Sequence, residues 1–218
     1  MCAIIGVQCS SSEENFNKIE SLFIQSKIRG LHATGISYIL GDKLITKKES
    51  IPADVFIKDF NVRKTFQNEK QITLIGHCRY STSDILYNQP IADDVFSIVH
   101  NGVITQEPFE RWKNLYKYDC DTKNDSELLF RYMKEGRNIK DFHDYFGNIS
   151  FALLGLNVSG NMFVCRNSLR PLWKVERGSG VFYASTQNIL IRSGFDSKEC
   201  VKLDSIDSLE KQNRSMNE

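Results

Sequence analysis

The order of strand-like and helix-like segments constrains the fold of this chain more than any single residue. Apolar runs of strand length occur up to residue 100 and return near residue 149, as in CAIIGVQ, ITLIGHCRY, ISFALLGLN and GVFYAS. Apolar residues at helical spacing predict helices over residues 13–28, 53–66, 107–116, 126–135 and 139–146. This order differs from the strict strand–helix alternation of a doubly wound parallel sheet. It favours an α+β fold in which two mainly antiparallel sheets pack together with helices outside.

Composition argues against several classes of function. The 218 residues are 41% hydrophobic with a net charge of +1, which fits one globular domain and gives no basic excess for nucleic acid. No apolar run approaches the roughly 18–20 residues that cross a bilayer, and no secretory signal opens the chain. The six cysteines include no C-x-x-C pair, which argues against a zinc site. We expect a cytoplasmic protein with a domain over residues 1–203 and a polar tail over 204–218.

The cysteine that follows the initiator methionine carries the first chemical signal. Once Met1 is removed, Cys2 bears a thiol and a free α-amine, a base with an ordinary pKa of about 7.7–8.0. A second cysteine, Cys78, stands next to His77, but adjacent strand residues point to opposite faces and cannot pair. We therefore expect Cys78 in the core and Cys2 as the candidate nucleophile.

Three polar clusters each allow two interpretations. Arg79 ends an apolar strand and would pair either with a carboxylate of the protein or with that of a ligand. The dipeptide Asn101-Gly102 ends another strand and is either a hairpin turn or an oxyanion hole of one amide and one backbone N–H. The segment KNDSELL either begins a helix that Asp125 or Asn124 caps, or places an acidic residue at the mouth of a site, where it would hold an ammonium group. Each cluster alone is a weak signal.

The order of the motifs resembles the class II, or N-terminal-nucleophile, glutamine amidotransferase domain. The similarity extends from Cys2 to about residue 187 and keeps the order of that family. The motifs that carry it are Cys2-Ala-Ile-Ile-Gly, Arg29-Gly, Gly76-His-Cys-Arg-Tyr-Ser-Thr82, Asn88-Gln-Pro, His100-Asn-Gly102, Asp125-Ser-Glu127, Arg170-Pro-Leu and Tyr183-Ala-Ser-Thr-Gln. The resemblance implies the four-layer αββα sandwich of the N-terminal-nucleophile hydrolases.

The resemblance also implies the catalytic residues. Cys2 would be the nucleophile and its own α-amine the general base, while Asn101 and Gly102 would form the oxyanion hole. One departure stands close to this region, because the family usually has an acid where this chain has His32.

The residues that would bind substrate follow from the same resemblance. Arg79 would bind the α-carboxylate of L-glutamine, with Thr82 and the backbone of Tyr80 nearby. Asp125 would bind the α-amino group, and Arg29 would brace the N-terminal region of the site. These are the parts needed to hold a free amino acid by both ends.

The implied reaction is hydrolysis of L-glutamine to L-glutamate and ammonia through a cysteinyl thioester, without a metal or organic cofactor. The family normally attaches a second, acceptor-modifying domain, so we expect the ammonia to pass to a separate synthase or ligase. Two alternatives stay open: a free-standing amidohydrolase of the same fold that acts on another amide, and a non-catalytic regulatory module. The acceptor of the nitrogen is not identified by the sequence.

Overall fold

Eleven strands form two sheets in this computed structural model, which describes residues 2–80, 87–147 and 149–206. The strands are β1 (Ala3–Ser10), β2 (Ala33–Leu40), β3 (Lys43–Glu49), β4 (Gln71–Arg79), β5 (Ile91–Ala92), β6 (Phe96–Val103), β7 (Ser150–Asn157), β8 (Met162–Arg166), β9 (Trp173–Arg177), β10 (Gly180–Ala184) and β11 (Val201–Lys202). The first sheet has the order β11-β9-β10-β1-β4-β2-β3, and the second has the order β5-β6-β7-β8. Every pairing between these strands is antiparallel.

Seven α-helices lie among the described residues. They are α1 (Glu13–Ser26), α2 (Ala53–Phe60), α3 (Val62–Phe66), α4 (Phe109–Tyr116), α5 (Ser126–Lys134), α6 (Phe142–Phe146) and α7 (Gln187–Arg192). Short 3-10 turns occur at Ile139–Asp141 and Ser197–Glu199.

Three apolar clusters show that the elements form four layers. One cluster joins the first sheet to α1, α2, α3 and α7, and includes Ile5 and Phe23. A second joins the second sheet to α4, α5 and α6, and includes Leu128 and Phe151. The third lies between the two sheets and includes Ile75. The predicted α+β sandwich of two antiparallel sheets with helices outside is therefore confirmed.

The helix predicted over residues 53–66 is two helices. Asn61 has a left-handed backbone (φ 53°), which ends α2, and its side chain accepts a hydrogen bond of 3.0 Å from the backbone N–H of Lys64 to cap α3. Asparagine adopts this conformation more readily than most residues. Apolar periodicity continues across the break because both helices face the same cluster, so the pattern alone did not reveal it.

The sheet pairing fixes where the polar strand ends meet. Strand β1 lies beside β4 with Ala3 opposite Cys78, and β2 lies on the other side of β4 with Ala33 opposite Arg79. The beginning of β1 and the end of β4 therefore share one edge of the sandwich. Of the polar tail predicted over residues 204–218, residues 207–218 lie outside the described residues. Leu203, the last residue of the predicted domain, packs against the cluster between the sheets.

Helix α1 offers a test of the core because neighbouring apolar residues differ in burial. Phe23 is fully buried, whereas Ile24 is 37% exposed. We expect Phe23→Ala to lower the free energy of unfolding by about 3–5 kcal/mol, since it leaves a cavity in a packed cluster. Ile24→Ala is the matched control and should cost about 1 kcal/mol or less. Urea denaturation measures both, and equal losses would contradict the assigned face of α1.

Candidate active site

Most of the site residues predicted from the sequence line one pocket. It has a volume of about 520 Å³ and opens at the edge where β1 begins and β4 ends. Its lining includes six predicted site residues: Cys2, Arg79, Tyr80, Asn101, Gly102 and Asp125. The predicted residue Thr82 lies outside the described residues.

Arg29 contacts the backbone of Cys2, which lines the pocket. Its Nε donates a hydrogen bond of 3.0 Å to the carbonyl oxygen of Cys2. The turn that carries it approaches the end of β4 so closely that a Cβ at Gly30 would overlap the carbonyl of Cys78. The segment is therefore a loop that contacts Cys2.

Arg79, the last residue of β4, projects toward the segment that begins at residue 87. Its guanidinium donates to the carbonyl oxygen of Tyr87, which also accepts a hydrogen bond of 2.9 Å from the side-chain amide of Asn124. The next residue, Tyr80, is 48% exposed, and its ring lies 5.1 Å from that of His32. A guanidinium positioned by a carbonyl at the lining of a pocket is suited to a ligand carboxylate.

Asn101 and Gly102 lie inside a strand. They pair with Ala152 and Phe151 of β7, so the hairpin-turn interpretation is wrong. A Cβ at Gly102 would overlap the carbonyl oxygen of Ser150, which accounts for the glycine. Asn101 is 3% exposed, and its Nδ2 has no hydrogen-bond partner among the described residues. A buried amide donor of this kind in a pocket can stabilise developing negative charge.

Asp125 lies immediately before α5, and its carboxylate is turned toward β6. Its Oδ2 accepts a hydrogen bond of 2.7 Å from the backbone N–H of Ile104. The helix is capped instead by Asn124, whose Oδ1 accepts from the N–H of Ser126 at 3.0 Å. The loop ahead of them is anchored by the 3%-exposed Glu127, which accepts from the N–H of Thr122 at 2.7 Å.

The pocket also contains two histidines to which the sequence assigned no role. His77 is 1% exposed, and neither ring nitrogen has a hydrogen-bond partner among the described residues. His100 is 2% exposed and lies 2.9 Å through Nδ1 from the hydroxyl of Ser126. Burial lowers the pKa of both, that of His77 to about 3. The alternation of strand side chains could have revealed His77, because it shares a face with Arg79.

Arg170 is a third pocket residue without a predicted role. It belongs to the Arg-Pro-Leu motif, lines the pocket, and has a buried Nε without a hydrogen-bond partner among the described residues. Gln89 and Ser126 also line the pocket. No single-residue signal in the sequence distinguishes these side chains from ordinary polar residues.

Cys2 lines the pocket, and it is half-buried, as Cys120 and Cys165 are. Burial raises the pKa of each of the other five thiols, those of Cys9, Cys78, Cys120, Cys165 and Cys200. A thiol with a raised pKa is a poor nucleophile near neutral pH because the thiolate is the reactive form.

A match to a protein family identifies the chain. Residues 77–192, more than half of the 218, match the model of a family described as glutamine amidotransferase domain. The chain belongs to this family. The resemblance to class II glutamine amidotransferases is thereby confirmed. No curated protein matches the chain.

Solved structures share the fold of this amidotransferase domain at low sequence identity. Glutamine phosphoribosylpyrophosphate amidotransferase from B. subtilis, complexed with ADP and GMP, aligns with a TM-score of 0.62 and 21% identity over 93% of the chain. An allosteric regulatory enzyme of purine biosynthesis aligns with a TM-score of 0.62, 20% identity and 93% coverage. The chain spans 44% of the length of each. A class II domain protein from Silicibacter pomeroyi aligns at 0.50 and 11% identity, over 94% of this chain and 99% of its own.

Two further observations concern ligands and membranes. Within the described ranges, no group of three or more His, Cys, Asp and Glu side chains is arranged to hold a metal ion. Among the helices of residues 2–80, 87–147 and 149–206, none is long and apolar enough to cross a bilayer.

The burial of His77 predicts that the folded protein loses stability in acid. The pKa of His77 falls from 6.5 to about 3 on folding, so between these values the unfolded chain binds a proton that the folded protein does not. The free energy of unfolding therefore falls as the pH drops below about 6.5. We expect His77→Gln to make this fall shallower, by up to about 1.4 kcal/mol per pH unit. Urea denaturation at pH 6.5, 5.5 and 4.5 measures the slope, and equal slopes in both proteins would contradict the prediction.

Proposed function

We propose that this amidotransferase domain is a glutaminase component that hydrolyses L-glutamine and delivers the ammonia to a separate synthase or ligase. The observation that carries the proposal is the amide nitrogen of Asn101, which has no hydrogen-bond partner among the described residues and is buried in the same pocket as Cys2. Arg79 and Asp125 line that pocket with opposite charges, which suits the carboxylate and ammonium of a free amino acid. The same pair weighs against an amide substrate that lacks these two groups.

The proposed chemistry begins with proton transfer from the thiol of Cys2 to its own α-amine. The thiolate attacks the side-chain carbonyl carbon of glutamine, and the oxygen gains a negative charge that Asn101 Nδ2 and the backbone N–H of Gly102 stabilise. The C–N bond then breaks as the protonated amine gives its proton to the departing nitrogen, which leaves as ammonia. A γ-glutamyl thioester remains on Cys2.

Water completes the cycle. The α-amine accepts a proton from water, whose oxygen attacks the thioester carbon. The C–S bond then breaks as the protonated amine returns its proton to the departing sulfur, which releases glutamate and restores the thiol. A positioned base of this kind contributes about 10²–10⁴-fold to a rate. Neither His77 nor His100 is suited to this role, because burial lowers the pKa of both and makes each ring a weaker base than an α-amine.

The first test concerns the N-terminus. Protein whose first residue is Cys2 should release glutamate and ammonia from glutamine in equal amounts. Protein that keeps Met1 should lack this activity, because only a free α-amine can accept the proton. Cys2→Ala with Met1 removed should lack it as well. Intact mass establishes the N-terminus of each sample beside the assay. Full activity with Met1 in place would overturn the mechanism, and no activity with a free Cys2 would count against the function.

The second test concerns the oxyanion donor. Asn101→Ala should lower kcat by roughly 10²–10³-fold with KM changed little, because the lost donor acts where charge develops. The melting curve should stay near that of the wild type, since Nδ2 of Asn101 makes no hydrogen bond within the described part of the chain. Asn157→Ala, at the far end of β7, is the matched control and should keep its activity. A normal kcat in Asn101→Ala would exclude the proposed role.

A further inference from the structure

A short segment beside the pocket, residues 87–90, contacts Arg79 and the chain neighbours of Asn101 and Asp125. It contains the Asn-Gln-Pro motif. It enters β5, which pairs with β6 only at Ile98 and Ser97. The backbone of β6 near Asn101 therefore lacks a neighbouring β5 residue on this side.

The side chain of Gln89 takes the place of that neighbour. Gln89 is 5% exposed, and its Oε1 accepts a hydrogen bond of 2.5 Å from the backbone N–H of His100. Its Nε2 donates to the carbonyl oxygen of His100 at 3.0 Å. Both backbone groups of His100 are thus held by one side chain, immediately before Asn101. A primary amide is suited to this because it carries both a donor and an acceptor.

The side-chain amide of Gln89 also joins β6 to α5, the helix that follows Asp125. Nε2 of Gln89 donates to Ser126 Oγ at 3.0 Å, and that hydroxyl also lies 2.9 Å from Nδ1 of His100. Ser126 is the first residue of α5 and follows Asp125 directly. Beyond Gly102, the carboxylate of Asp125 accepts from the N–H of Ile104 at 2.7 Å. The oxyanion pair is therefore fixed on both sides.

Tyr87, the first residue of the segment, holds the guanidinium of Arg79. The carbonyl oxygen of Tyr87 accepts from Arg79 and from the side chain of Asn124. The segment is itself held against the first sheet, because Lys48 Nζ donates to the carbonyl of Asn88 at 3.2 Å. A Cβ at Gly35 would overlap the carbonyl oxygen of Gln89, so β2 packs directly against it.

We infer that Gln89 is a positioning residue for the oxyanion donor Asn101, on which it acts through the backbone of His100 and through Ser126. The inference rests on the proposed glutaminase function and adds to it a role for the Asn-Gln-Pro motif. Displacement of reacting groups by about 1 Å costs on the order of 10²-fold in rate. Loss of the Gln89 amide should therefore appear in kcat, while the thiol of Cys2 stays intact.

The test compares Gln89→Ala and Gln89→Glu with the wild type. Glutamate keeps the length of the side chain but, when ionised, cannot donate to the carbonyl of His100. Active molecules are counted by the stoichiometry of Cys2 alkylation with iodoacetamide, and kcat is expressed per alkylatable thiol. Both variants should lose about 10–100-fold in this kcat, with KM changed less than about threefold. Gln8→Ala, at the far end of β1, is the matched control and should keep its kcat.

A double-mutant cycle separates positioning from general loss of structure. If Gln89 acts through Asn101, Gln89→Ala should change kcat by about twofold or less in the Asn101→Ala background. Effects that multiply instead would overturn the inference, as would a kcat per thiol that equals the wild type. If Gln89→Ala yields no folded protein, the same cycle is run with Gln89→Glu, which keeps the length of the side chain and loses the donor to His100.

Two outcomes distinguish the inference from the function on which it rests. A wild-type protein with free Cys2 and no glutaminase activity counts against the proposed function, and the inference fails with it. An active wild type with multiplicative effects contradicts the inference alone, and the glutaminase function stands.

Discussion

The antiparallel pairing of β1 with β4 is the contact on which the rest of the structure depends. Ala3 lies opposite Cys78, so the residue before β1 and the residue that ends β4 come to one edge of the sandwich. A slip of one residue would exchange the faces of a strand. It would turn His77 toward the helices and Cys78 toward the second sheet. The pocket with Cys2 and Arg79 therefore depends on this single register.

The second sheet adds polar groups to an otherwise apolar interior. A buried polar group without a partner costs about 1–3 kcal/mol. The structure limits this cost around β6, where Gln89, Ser126 and His100 satisfy one another. Among the described residues that line the pocket, the exceptions include the amide nitrogen of Asn101, the ring of His77 and Nε of Arg170. Departures from ordinary packing rules are expected at functional sites because a ligand completes them.

Local patterns were most reliable where one face of an element meets one apolar cluster. The helix over residues 13–28 was predicted well because Phe16, Ile19 and Phe23 recur on its buried face. Patterns failed where a distant strand decided the conformation. Asn101-Gly102 has the local signature of a turn, yet β7 pairs with both residues and keeps the chain extended.

The sequence by itself determined the types and order of the elements, the apolar faces, and the residue types available for chemistry. Strand alternation even placed His77 and Arg79 on one face. Only the tertiary structure decided that residues 2, 79, 101 and 125 meet, and that Gln89 joins His100 to Ser126. The physical reason is the range of the interactions. Periodicity and capping act within a few residues, whereas strand register and buried side-chain hydrogen bonds join segments that are far apart in the chain and leave no periodic trace in either one.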